Sequence, residues 1–137
     1  DFKTYRSVDI SWYKKVYNYN RYLGKISNII DKTFPIKTNS IRPSVNSLGL
    51  TEIPTSILLI SKNGIRSLVS NFSMFKKIKD GIDLAINRNE CFHLWFHPSN
   101  FYYKSESQFE LLKKIINYIN LKRKEGLIEI KLLNQFN

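Results

Sequence analysis

The sequence predicts an α/β fold in which helices alternate with parallel strands. Three long segments carry apolar residues at helical spacing, and short apolar runs rich in β-branched or aromatic residues separate them. The order helix, strand, helix, strand, helix, strand is typical of βαβ units, which form a parallel sheet covered by helices. No internal repeat, linker or low-complexity tract divides the 137 residues, so we expect a single domain, 1–137, with one core.

The first half of the chain is predicted to contain one long helix and one buried strand. Ser11 can cap a helix over residues 12–30. Prolines and a glycine break up the polar stretch 31–51, which indicates a long loop. The apolar run 53–60 predicts a buried strand. The inward stripe of the helix is predicted to be Trp12, Val16, Tyr19, Leu23, Ile26 and Ile30.

The second half is predicted to contain two helices and two strands. A helix over 73–89 leads into a strand that ends at His97. Ser105 precedes a second helix over 106–125, which Gly126 ends, and residues 127–133 can form a last short strand. The residues predicted to face inward are Phe75, Ile78, Ile82 and Ile86 on the first helix, and Phe109, Leu112, Ile116 and Ile119 on the second.

The segment 91–101, CFHLWFHPSNF, contains both histidines of the chain and one of its two tryptophans. On a strand, His93 and His97 share a face with Trp95, but their Cα atoms lie roughly 13 Å apart. That separation is too large for both rings to bind one zinc ion at Zn–N distances of about 2.0–2.1 Å. Active sites of parallel α/β folds collect at the carboxyl ends of strands, where His97 is placed. The alternative is that both histidines are ordinary core or rim residues.

The sequence of residues 92–101 resembles the carboxyl-terminal motif of polysaccharide deacetylases with a NodB-homology domain. Two further stretches agree with that family, namely IPTS at 53–56 followed by an apolar run and RKEGLI at 123–128. Tyr5-Arg6-Ser7 followed by Trp12-Tyr13 looks like the family's arginine motif, as a weaker match. The resemblance implies the latter part of a distorted (β/α) barrel. The catalytic aspartate and the Asp-His-His metal ligands of the family would then lie before Asp1.

The chemistry that this resemblance implies is metal-dependent hydrolysis of an N-acetyl group on an amino sugar. A divalent, zinc-like metal would polarise the acetamide carbonyl in the complete enzyme, and this chain alone is expected to bind none. His97 matches the acid that protonates the leaving amine, and Arg6 matches the arginine that orients the catalytic aspartate. Trp95 would line the acetyl pocket and Asn100 would bind the sugar. Each of these three residues has an alternative role. Trp95 can be a packing residue, Asn100 can stabilise a turn, and Arg6 can be an ordinary surface residue.

Two acidic residues of the second predicted helix bear on that match. Asp80 and Asp83 lie on the helix 73–89, so they are no counterpart of the Asp-x-x-Asp-Trp element that flanks the acid histidine in better-known members. The sequence therefore leaves the group that tunes His97 unidentified.

The net charge of +11 raises a second class of function, a noncatalytic basic α/β module that binds nucleic acid or an anionic polymer. The lysines are scattered, and the densest cluster, Lys76-Lys77 with Lys79, falls on a predicted helix where a solvated face is expected. No zinc-finger spacing, RNP-like sequence or phosphate loop is present. The sequence therefore argues against nucleic acid as a partner. The expected partners are an amino-sugar glycan or its precursor and the amino-terminal half of the domain.

The apolar runs and the cysteine content of the sequence bear on the location and redox chemistry of the protein. No apolar run reaches the 18 or so residues that span a bilayer, and no signal peptide is visible, which favours a cytoplasmic location. Cys91 is the only cysteine, so no disulfide can form within the chain. Its place at the start of an apolar strand predicts an inert, buried thiol.

Overall fold

A computed structural model describes residues 3–9, 11–34 and 38–136 of the chain. These residues form a mixed α/β fold with four α-helices and five short strands. The helices are α1 (Tyr13–Tyr19), α2 (Arg21–Thr33), α3 (Asn71–Arg88) and α4 (Ser105–Lys124). The strands are β1 (Thr4–Asp9), β2 (Ser44–Val45), β3 (Thr51–Thr55), β4 (Ile57–Leu58) and β5 (Leu94–Trp95).

The strands form two small sheets that share one stretch of chain. β1 runs parallel to β3, with Arg6 opposite Ile53, and β2 runs antiparallel to β3. β4 runs parallel to β5, with Leu58 opposite Trp95. The predicted alternation of helices with parallel strands is therefore confirmed for the β1–β3 and β4–β5 pairs. The described strands do not close into a barrel, so the barrel remains a prediction from the resemblance.

The predicted strand 53–60 is divided at Ser56. The backbone N–H groups of Ser56 and Ile57 both donate to the carbonyl oxygen of His93, at 3.0 and 3.3 Å. Two consecutive donors on one acceptor interrupt the regular ladder, as an extra residue in a β-bulge does. The chain can therefore pair with β1 before Ser56 and with β5 after it.

The predicted helix 12–30 is broken at Asn20, and its predicted inward stripe is wrong from Tyr19 onward. The Asn20 side-chain oxygen accepts hydrogen bonds from the backbone N–H groups of Tyr22 and Leu23, at 2.9 and 3.2 Å. Asn20 thereby caps α2 and ends α1, because an asparagine side chain competes with the helical backbone. Tyr19 is 89% exposed, and the outward residues of α2 are Leu23, Ile26 and Ile30.

The segment 31–51, predicted to be a loop, contains the end of α2 and the strand β2. After β2, the Asn46 side-chain oxygen accepts hydrogen bonds from the backbone N–H groups of Leu48 and Leu50. Local bonds of this kind set a tight turn that the binary pattern of apolar and polar residues does not reveal. Pro35, one of the residues expected to break this stretch, lies outside the described residues.

The two later helices are confirmed, whereas the last strand is not. Ser70 caps α3 through its side chain, and α4 ends at Lys124, two residues before the left-handed Gly126. The buried face of α4 is centred one residue before the predicted one, since Gln108, Leu111 and Ile115 are buried whereas Phe109 and Ile116 are exposed. Leu112 and Ile119 of the predicted set are partly buried and pack against the core, as expected. Residues 128–132 pair with no strand, and a 3₁₀ turn, Leu133–Gln135, follows them.

The hydrophobic core lies between β4 and the helices α3 and α4. Burial of each large aliphatic side chain stabilises the fold by about 1.5–3 kcal/mol. Gly81 on α3 is needed for this packing, because a Cβ there would lie 2.2 Å from Cε2 of Phe92. The Phe92 ring thus packs directly on the α3 backbone and holds the chain that leads into β5. The core residues are Ile57, Leu59, Ile60, Val69, Met74, Ile78, Ile82, Phe101, Leu111 and Ile115.

A buried polar cluster joins α2 to α3 and to the start of α1. Asp31 is 1% exposed, and its Oδ2 lies 2.9 Å from Nζ of Lys77, which is also buried. The indole N–H of Trp12 donates to Oδ1 of the same carboxylate at 2.7 Å. A carboxylate with two donors can remain charged in the interior, because each oxygen has a partner that replaces water.

Candidate functional site

Three of the four residues predicted to form the site lie together in the structure. The guanidinium carbon of Arg6, on β1, lies 3.8 Å from the centroid of the Trp95 ring, on β5. The ring of His97 meets the ring of Trp95 edge to face, with centroids 4.9 Å apart. Trp95 is partly buried, whereas Arg6 and His97 are exposed. We call this group the Arg6–Trp95–His97 cluster.

The central ring of the cluster holds both outer residues in place. A guanidinium over an indole face is attracted by the ring quadrupole, with a gain of about 0.5–1 kcal/mol at an exposed position. Stacking uses the face of the guanidinium and leaves its in-plane N–H donors for another group. No carboxylate among the described residues pairs with Arg6. Its donors are thus available to a planar acceptor such as a carboxylate.

The strand that carries Trp95 is held by His93, which has a structural role. Ring nitrogen Nδ1 of His93 lies 3.1 Å from the carbonyl oxygen of Pro54, and the His93 backbone N–H donates to the Ser56 hydroxyl at 3.0 Å. These bonds join 53–56 to the start of β5. The two segments that carry the resemblance in the middle of the chain are therefore in direct contact.

The loop after His97 is anchored by Asn100, the fourth predicted site residue. The Asn100 side-chain amide donates to the carbonyl oxygen of Leu59. The backbone N–H of Asn100 donates to the carbonyl oxygen of His97 at 2.9 Å. Gln108, which is 0% exposed, donates to the carbonyl oxygen of Ile60 at 2.8 Å. Asn100 therefore fixes the position of His97, while its predicted contact with a sugar stays a prediction.

His97 is placed where it can exchange a proton with a ligand. Its ring is open to solvent, and no hydrogen bond from the described residues engages the imidazole nitrogens. Asp80 and Asp83 instead pair with Lys76 and Lys79 on their own helix, at 2.6 and 2.7 Å. Among the described residues, the Trp95 ring is the side chain that His97 packs against, and the aspartates of α3 lie in ion pairs of their own.

The thiol of Cys91 is a poor candidate for a nucleophile. Cys91 pairs with Ile41 through reciprocal backbone hydrogen bonds of 2.8 Å, which place it at the entry to β5. Burial raises the pKa of the Cys91 thiol, and nearby Glu90 also raises it while Lys131 acts in the opposite direction. A raised pKa disfavours the reactive thiolate, which supports a structural role for this residue.

The described residues do not fit a metal centre. Nowhere in 3–9, 11–34 and 38–136 do three or more His, Cys, Asp or Glu side chains converge. His93 directs Nδ1 to a carbonyl oxygen, and His97 is held beside Trp95. Among the residues that the structure places, none assembles the tetrahedral ligand set that zinc requires.

We expect the isolated chain to bind zinc only adventitiously, because its histidines occupy separate positions along one extended segment. Isothermal titration calorimetry with zinc should show weak heats without a defined stoichiometry. The His93→Ala/His97→Ala double variant provides the control and should give the same isotherm. One-to-one binding at sub-micromolar affinity that this double variant abolishes would contradict the assignment.

The densest lysine cluster is neutralised by carboxylates. Lys76 pairs with Asp80, Lys79 pairs with Asp83, and Lys77 turns inward to Asp31. A surface that tracks phosphates needs cations that are available to exchange counterions. The pairing of these lysines favours a solvated helix face and gives no support to the basic-module alternative.

No helix of the described residues is long and apolar enough to cross a membrane.

The sequence pattern missed the strand that carries Arg6. Thr4, Tyr5 and Val8 are residue types enriched in strands, and this was the available signal for β1. The run is short, and its parallel partner β3 lies about 45 residues away, so nothing local specifies the pairing. The contact of Arg6 with Trp95 therefore became visible only in the fold.

In comparisons with known proteins, no family model matches the chain, and no curated protein or solved structure shows significant similarity to it.

Proposed function

We propose that this chain is the carboxyl-terminal part of a metal-dependent carbohydrate deacetylase that removes N-acetyl groups from amino sugars of a glycan or envelope precursor. In this proposal the sheet belongs to a distorted (β/α) barrel, and the remaining strands and metal ligands precede Asp1. The chain alone is expected to be inactive, since its described residues supply no metal site.

The observation that carries the proposal is the contact among Arg6, Trp95 and His97. The resemblance selected these residues from two sequence segments about 90 positions apart, without information on their distance. Arg6 lies 3.8 Å from the Trp95 ring, and Trp95 lies 4.9 Å from the His97 ring. Trp95 and His97 share a face because they lie two residues apart on one strand. The long-range approach of Arg6 to Trp95 is therefore the contact that supports a shared site.

Each side chain of the cluster has a property that the proposed reaction needs. His97, protonated and exposed, can give a proton to the nitrogen of the leaving amino sugar as the C–N bond breaks. Trp95 offers an apolar ring for the methyl group of the acetyl substituent. The in-plane donors of Arg6 suit a bidentate pair with the carboxylate of the catalytic base. Asn100 and Gln108 hold the loop in which His97 sits, so the acid is positioned before substrate binds.

The gene upstream of the Asp1 codon provides the first test. We expect an Asp-Asp pair at the end of a predicted strand, followed by a His-x-x-x-His element. The protein extended to include them, supplied with a divalent metal, should release acetate from N-acetylglucosamine oligosaccharides. A start codon directly before Asp1, or an extended and folded protein that releases no acetate from any N-acetylated amino sugar, would contradict the proposal.

Arg6→Lys in that extended protein tests the cluster itself. Lysine keeps the positive charge but loses the planar fork, so it cannot form a bidentate pair while it stacks on Trp95. We expect acetate release to fall by at least about ten-fold, because bonds to charged groups contribute about 1.5–3 kcal/mol. Arg21→Lys, an exposed position on α2 outside every segment of the resemblance, is the matched control and should retain full activity. Equal rates for Arg6→Lys and the control would remove Arg6 from the site.

A further inference from the structure

We propose that the groove between α2 and residues 60–66 binds the phosphate group of a small organic phosphate. The groove has a volume of about 300 Å³, at the lower end of the range of small-molecule sites. It shares no residue with the Arg6–Trp95–His97 cluster, and its assignment does not depend on the proposed deacetylase activity. Its lining includes Lys25, Asn28 and Ile29 of α2, together with Ile60, Ile65 and Arg66.

The charge of the groove favours a ligand with two negative charges. Lys25 comes from α2 and Arg66 from the 3₁₀ turn Gly64–Leu68, and both side chains are exposed. Neither forms an ion pair with a described carboxylate, and no described Asp or Glu lines the groove. Asp31, the one acidic residue of α2, is already paired with Lys77. Two uncompensated cations at one cavity attract a phosphate dianion more strongly than a singly charged carboxylate.

The hydrogen-bonding groups of the groove are mainly donors. The Asn28 side-chain oxygen accepts from Nζ of Lys32 at 2.8 Å, so the Asn28 amide N–H₂ is the group left for a ligand. Arg66 adds a guanidinium fork, which matches the geometry of two phosphate oxygens. The backbone N–H of Arg66 donates to the carbonyl oxygen of Asn63 at 3.1 Å, which fixes the turn that carries the fork. Phosphate oxygens are acceptors and therefore complement this set.

The apolar side of the groove explains why an organic phosphate is favoured over the free ion. The exposed Ile65 and the partly buried Ile29 provide apolar surface beside the two cations, above the buried Ile60. Ile60 follows the carboxyl end of β4, which is the end of parallel strands where ligands of α/β folds bind. An organic body attached to the phosphate can cover these isoleucines, and burial of apolar area adds to the binding free energy.

Titration of the full chain with phenyl phosphate tests this site, because the probe joins a phosphate to an apolar ring. Binding should be saturable with one site per chain, and the amide NMR signals of residues 25–29 and 60–66 should shift. Arg66→Ala and Lys25→Ala should each raise the dissociation constant by about ten-fold or more. Lys114→Ala, an exposed position on α4 away from the groove, should leave it unchanged.

Other probes and variants separate the outcomes. Inorganic phosphate should shift the same NMR signals and compete with phenyl phosphate, but with lower affinity. The dissociation constant of Arg66→Lys for phenyl phosphate should lie between those of Arg66→Ala and the unaltered chain. Since Lys25 and Arg66 are exposed, these variants should retain the thermal unfolding midpoint of the unaltered chain. Unsaturable binding, equal weakening by Lys114→Ala, or benzoate binding as tightly as phenyl phosphate would each overturn the proposal.

Discussion

Asp31→Ala should lower the free energy of unfolding by about 3–5 kcal/mol, the usual cost of removing one partner from a buried ion pair. The carboxylate lies 2.9 Å from the Lys77 ammonium and accepts the Trp12 indole N–H at 2.7 Å. Its loss would deprive the buried Lys77 ammonium and the partly buried Trp12 indole N–H of this acceptor. A domain of this size has a total stability of about 5–15 kcal/mol, so the variant should unfold at a much lower urea concentration.

Two further variants separate the ion pair from a general effect of substitution. Asp80→Ala removes an exposed carboxylate from its pair with Lys76 on α3 and should cost less than about 1 kcal/mol. Asp31→Leu combined with Lys77→Met replaces both charges by apolar groups and should recover much of the loss, because the desolvation penalty disappears. If Asp31→Ala unfolded within 1 kcal/mol of the unaltered chain, as judged from urea curves, the buried pair would have no stabilising role.

The fold could be predicted where local patterns determine it. α3 was found from its apolar residues at helical spacing, and α4 from the same spacing together with its stop at Gly126, which adopts a left-handed conformation. The buried face of α4 was nevertheless centred one residue too late, although Leu112 and Ile119 of the predicted set pack against the core. The reason is Gln108, a polar side chain that is buried because it binds the carbonyl oxygen of Ile60. Hydrophobic periodicity assigns such a residue to the surface, since it does not detect a tertiary partner.

The breaks in the predicted elements depend on side-chain bonds to the backbone. Asn20 divides the first helix because its side chain caps α2, and Ser56 divides the central strand where two N–H groups share the His93 carbonyl. The apolar pattern continues across both positions, so a reading of periodicity joins what the hydrogen bonds separate. Only the break at Ser56 involves a long-range contact. The break at Asn20 is local, because an asparagine within a predicted helix favours a cap and can be recognised from the sequence.

The candidate site was partly accessible from sequence. His97 and Trp95 lie two residues apart on one strand, so their shared face follows from the period of a strand. Arg6 entered through the resemblance, and its approach to Trp95 depends on the parallel pairing of β1 with β3 and of β4 with β5. The groove of Lys25 and Arg66 had no sequence signal, because the two cations lie about 40 residues apart and meet through packing of α2.

In the extended protein, the proposed deacetylase mechanism predicts that His97→Ala reduces the rate of acetate release by about 10²–10⁴-fold, the usual contribution of general acid–base catalysis. His93→Ala should have a small effect on rate and lower stability by about 1–3 kcal/mol, because Pro54 would lose the ring that bonds its carbonyl oxygen. Both variants should retain the metal content of the unaltered enzyme, since neither histidine belongs to a ligand group among the described residues. Acetate release and metal analysis measure these quantities on the same samples.

The pH dependence of kcat/KM distinguishes an acid from a residue that merely packs. A histidine that must be protonated to assist the leaving amine gives a rate that falls as pH rises through its pKa. His97→Ala should remove this fall, and His93→Ala should preserve it. The exposed ring of His97, held against Trp95 at 4.9 Å, makes it the histidine that a substrate can reach. If His93→Ala abolished turnover in a folded, metal-loaded enzyme while His97→Ala retained the pH profile, the roles of the two histidines would be reversed and the deacetylase mechanism would lose its acid.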